Sequence, residues 1–96
     1  MAELNFKQEG ELYVAEFKVE GNFNLHLERN KEGRLDIYQK TAGEKYVYIS
    51  EIGWLGKVMA YDNDFEASVY PKTIKIVSTT PISVAIVTSA SNITVL

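Results

Sequence analysis

The chain has 96 residues, ten Lys and Arg against thirteen Asp and Glu, a net charge of −3 and no cysteine. One core fits this length, and area scaling places about 65% of the unfolded surface inside it, so a single domain over residues 1–96 is expected. The composition excludes a disulfide scaffold, a Cys-ligated metal module and a basic nucleic-acid module, and an 11% aromatic content excludes low-complexity disorder.

In chain order, the recurring pattern is period two, the signature of strands. Tyr13, Ala15, Phe17 and Val19 alternate with Val14, Glu16 and Lys18. Phe23, Leu25 and Leu27 alternate with Asn22, Asn24, His26 and Glu28. Leu35 and Ile37 alternate with Arg34, Asp36 and Tyr38. Residues 45–49 form a further run, and residues 50–55 suit a helical turn. Phe65, Ala67 and Val69 follow the same alternation, then Ile74 and Ile76, then Ile82, Val84 and Ile86 opposite Ser83, Ala85 and Val87. Each set places its apolar members on one sheet face.

Turn chemistry separates the runs. Gln8-Glu9-Gly10 and Glu20-Gly21-Asn22 mark tight turns. Residues 29–33 read as a polar hairpin loop, as do Ala42-Gly43-Glu44. Asp62-Asn63-Asp64 reads as a turn, and Pro71 and Pro81 punctuate the last strands. About nine or ten short antiparallel strands in so short a chain predict an all-β fold. The expected architecture is an antiparallel β-sandwich, jelly roll or Greek key.

Candidate chemistry is sparse. His26 is the single histidine, placed mid-strand opposite Phe23, Leu25 and Leu27, and reads as a solvent-facing polar residue. No nucleophile elbow, P-loop or dinucleotide fingerprint occurs, so no enzymatic activity and no cofactor are expected. Asp62, Asn63, Asp64 and Glu66 offer oxygens of the kind Ca²⁺ takes, without the spacing of an EF-hand, and read as a solvated turn. Trp54, with Gly53 and Gly56 close by, suits either an exposed platform or a core plug. With Tyr61, Asp62 and Asp64 it forms the candidate site of an alternative reading, a carbohydrate-binding module.

The start, MAELNFKQEGELY, has neither a basic n-region nor an apolar h-region. Cytoplasmic synthesis without a signal peptide is therefore expected. Residues 76–96 carry no charge at all. Ten of these 21 residues are Ser, Thr, Asn or Pro, which is too polar for a membrane span. Residues 73–96 are rich in β-branched side chains, and a half-exposed strand should show charge on its outer face. A charge-poor pair of strands therefore predicts cover from a second subunit, hence a homo-oligomer. Ile74, Ile76, Val84 and Ile86 are expected to face the core. Val77, Ala85, Val87, Ile93 and Val95 are the interface candidates, and Val87→Asp is expected to dissociate the assembly.

The leaderless start, the short all-β domain and the uncharged stretch Ser78-Thr79-Thr80-Pro81-Ile82-Ser83-Val84-Ala85-Ile86-Val87-Thr88-Ser89 resemble small β-sandwich structural proteins of tailed bacteriophages and prophages. The resemblance implies a head-decoration, head-fibre or tail-accessory part, a virion location and trimeric or hexameric assembly. The expected function is a non-enzymatic assembly module, with residues 28–45 presented outward as loops and neither nucleic acid nor membrane as partner.

Overall fold

The computed structural model describes residues 2–29, 31–40, 45–54, 60–65 and 72–96; from Tyr46 to Trp54 it describes the backbone throughout and the side chains of Tyr46 and Tyr48. Ten strands run through these residues: β1 (Ala2–Glu3), β2 (Lys7–Glu9), β3 (Leu12–Glu20), β4 (Phe23–Arg29), β5 (Gly33–Lys40), β6 (Tyr46–Trp54), β7 (Ala60–Phe65), β8 (Lys72–Ser78), β9 (Ile82–Thr88) and β10 (Asn92–Val95). They form two antiparallel sheets. The first has the order β1-β9-β4-β7; the second has the order β10-β3-β8-β5-β6, with β2 also paired to β3.

The pairs β1·β9, β3·β8, β4·β7 and β5·β6 nest inside one another along the chain. This is one long antiparallel hairpin folded over on itself, the wiring of a jelly roll. It explains why the segments after β3, β4 and β8 are crossings between sheets and not hairpin loops. The expected hairpin at residues 29–33 is corrected on this ground: β4 pairs with β7 and β9, whereas β5 pairs with β6 and β8. Residues 33–40 are accordingly a strand of the second sheet, with Leu35 and Ile37 in the core, and not an outward loop.

Gly21 makes the β3–β4 crossing. Its φ is +81°, and a Cβ there would stand 2.6 Å from the Ser91 hydroxyl oxygen. Only glycine meets both conditions without strain.

Inward side chains of the two sheets meet in one core. Phe17, Val19, Leu35, Ile37, Ile74 and Ile76 come from the second sheet, and Phe23, Leu25, Leu27, Ala85 and Val87 from the first. The Phe23 ring stacks on Phe65 at 4.9 Å and meets Phe17 edge-on at 5.9 Å, which ties edge strand β7 to both layers.

Three local expectations change. Residues 50–54 continue β6, because their backbone pairs with Gly33 to Ile37 of β5. Asp62, Asn63 and Asp64 lie mid-strand in β7, not in a turn, since they pair with His26, Leu25 and Asn24. The expected turn at residues 42–44 and strand segment at 66–69 fall outside the described residues. The uncharged tail is divided among β8, β9 and β10.

The third change concerns β9. Ala85 and Val87 are buried in the core, while Val84 and Ile86 face outward and are half-buried. The cause is a β-bulge. Glu28 pairs with Val84 and Arg29 with Ile82, so Ser83 is the extra residue, its hydroxyl donating to the Glu28 carbonyl at 3.1 Å. One inserted residue reverses the parity of everything beyond it.

Candidate functional site

The outer face of the first sheet carries the densest polar cluster. Period two along β4 turns Asn24, His26 and Glu28 outward as it turns Phe23, Leu25 and Leu27 inward. The antiparallel register sets Asp64 opposite Asn24 and Asp62 opposite His26. His26 Nδ1 lies 2.8 Å from Asp62 Oδ2, and His26 Nε2 lies 2.8 Å from Glu28 Oε2. The Asn24 amide donates to Asp62 Oδ1 at 2.7 Å and to Asp64 Oδ1 at 2.9 Å.

A carboxylate only accepts, so both imidazole bonds form together only when both ring nitrogens carry protons. The hydrogen bond to Glu28, then that to Asp62, raises the His26 pKa above the ordinary imidazole value, with burial acting weakly against them. The Asn24 amide and then His26 hold the Asp62 carboxyl below the usual carboxylate range. Half-buried His26 is thus held between two carboxylates, and it stitches edge strand β7 to β4.

Glu66 of the expected Ca²⁺ cluster lies outside the described residues. Among the described residues no group of three or more His, Asp or Glu is arranged to hold a metal ion. An N–H donor from Asn24 already stands between the two aspartates.

The residues of the expected carbohydrate site do not come together. Tyr61 alternates with Asp62 and points inward against the core, where burial raises its phenol pKa against an opposing hydrogen bond to Asn63. Asp62 and Asp64 point outward on the first sheet. The Trp54 backbone belongs to the second sheet, opposite Gly33, and its side chain lies outside the described residues.

The interface candidates also divide. Ala85 and Val87 are only 8% and 1% exposed and belong to the core, so they are withdrawn as contact residues. Ile93 packs against the core. Val77 lies outward on the second sheet, in register between Val14 and Asp36. Val95 is 38% exposed near the C-terminus.

Two features lie outside the expected sites. Arg29 is 2% exposed at the inward end of β4, in phase with Leu25 and Leu27, and desolvation lowers its pKa against the attraction of Glu32. The second is a row of tyrosines. Tyr38 of β5 stands opposite Tyr48 of β6 on the outer face of the second sheet, with ring centroids 5.7 Å apart and nearly perpendicular. Comparison with family models, curated proteins and solved structures returns no match.

Proposed function

We propose that the protein is a non-enzymatic structural module that assembles with copies of itself through its uncharged C-terminal strands, as small phage and prophage virion parts do. The observation that carries this reading is the outer surface of β9. Val84 and Ile86 face outward there, in register with Glu28 and His26, and form an apolar strip inside an otherwise charged sheet face. The short β1 adds to it. Its ladder with β9 covers only Ile86 and Val87, with one further bond from the Leu4 N–H to the Ala85 carbonyl at 2.8 Å. The start of β9 thus offers backbone and apolar side chains together, the combination that favours pairing with another chain.

The contact surface therefore moves by one residue from the sequence expectation, from Ala85 and Val87 to Val84 and Ile86. The test is the molar mass by light scattering across the micromolar range, for the wild type and for Ile86→Glu. An assembled wild type and a folded, dissociated Ile86→Glu are expected. A wild type that stays monomeric, or an Ile86→Glu variant that keeps its assembled mass, overturns the reading.

A further inference from the structure

The antiparallel register lays one row of side chains across the outer face of the first sheet: Glu3 of β1, Ile86 of β9, His26 of β4 and Asp62 of β7. The neighbouring row sets Val84 beside Glu28. The apolar strip on β9 therefore shares its ladder with the His26 clamp, and directly paired side chains on one face lie about 5 Å apart at Cβ. A body that settles on Val84 and Ile86 also takes water from His26 and Glu28, whose side chains are 30% and 47% exposed.

The charges around His26 are one-sided. Glu28 shares its strand, Asp62 and Asp64 come from β7, and Glu3 stands beyond Ile86 on β1. β9 turns Val84, Ile86 and Thr88 to this face and no titratable group. Among the described residues, the outward positions of these four strands hold no Lys or Arg, so the imidazole is the one side chain there able to carry positive charge.

Proton accounting then links the clamp to the strip. A neutral imidazole has a single N–H, and a carboxylate needs a donor. In open solvent, water serves whichever of Glu28 and Asp62 loses its N–H partner. Under a second chain that carboxylate would keep its charge with a hydrogen bond missing, which costs far more away from water. A protonated ring has two N–H groups and serves both. In a two-fold contact the same patch meets itself, so the acidic excess counts on both sides.

Resting on the assembly reading above, we infer that self-association through β9 requires protonated His26: a second copy seats on Val84 and Ile86 while the imidazole answers Glu28 and Asp62 together. Assembly then holds a proton on each chain and weakens as pH rises through the imidazole titration. The two carboxylate hydrogen bonds that raise the His26 pKa place this loss above the ordinary imidazole value.

The test is molar mass by light scattering over the micromolar range at about pH 6 and about pH 9, the upper value lying below the Tyr and Lys ranges. Circular dichroism of every sample verifies the fold. The apparent dissociation constant of the wild type should rise at least about tenfold from the lower to the higher pH. His26→Gln cannot take up the proton and should lose this dependence. Glu28→Gln removes the carboxylate that would be left without a donor, and should stay assembled at the higher pH. An assembled wild type with the same or greater mass at the higher pH overturns this inference and leaves the assembly reading standing. A wild type that is monomeric at both pH values overturns both. His26→Gln with the wild-type response, or Glu28→Gln dissociating at the higher pH as the wild type does, assigns the dependence to another group and overturns this inference alone.

Discussion

His26 and Asp62 face each other across the β4–β7 ladder with Nδ1 and Oδ2 2.8 Å apart, while Glu28 holds the other imidazole nitrogen at the same distance. On the opposite side of the same ladder, Phe23 stacks on Phe65. Edge strand β7 is thus fastened from both faces of the first sheet, by charge outside and by aromatic packing inside.

The outside fastening is pH-dependent. His26 has a folded pKa raised above its unfolded value, so its contribution is complete below the unfolded imidazole value and is lost as pH rises through the raised one. Asp62 has a lowered folded pKa. Its contribution is present above the unfolded carboxylate value and is lost as pH falls through the lowered one. Stability should therefore crest between the carboxylate and imidazole ranges and decline on the alkaline side. Urea midpoints measured across pH for the wild type and His26→Gln check this. Parallel profiles through the neutral range would refute it.

The inside fastening predicts a local effect. Phe65→Leu keeps an apolar side chain but removes the stacked ring, and should cost about 1 kcal/mol. Hydrogen exchange should quicken in β7 before it does in β4, because among the described residues β7 has a hydrogen-bonded neighbour on one side only. Uniform acceleration across both strands would contradict the fastening.

The bulge at Ser83 makes neighbouring residues behave in opposite ways. Val87→Asp places a charge in the core and should destabilise by on the order of 4 kcal/mol, which is enough to threaten folding. Ile86→Glu points outward and should stay within about 1 kcal/mol of the wild type. Comparable urea midpoints for the two variants would mean that the parity of β9 is assigned wrongly.

Gly21 carries two separate constraints, positive φ and the close approach of Ser91. Gly21→Ala should cost about 1–3 kcal/mol. Adding Ser91→Ala should recover only part of it, since removing the hydroxyl relieves the clash and leaves the backbone strain. Full recovery in a double-mutant cycle would remove φ from the account.

The sequence by itself determined the all-β class, the facing of β3, β4, β5 and β8, and the outward position of His26. These follow from period two, a property of each strand alone. The same arithmetic failed along β9, because a bulge depends on the partner strand: Ser83 is extra only relative to Glu28 and Arg29. It also failed at residues 62–64, whose polar run looks like a turn until Asn24 and His26 face it across the ladder. The uncharged tail was visible from the first count, but which of its side chains reach solvent was not. That, the His26 clamp and the tyrosine row were decided by tertiary structure alone, because each joins residues brought together by strand pairing and not by closeness along the chain.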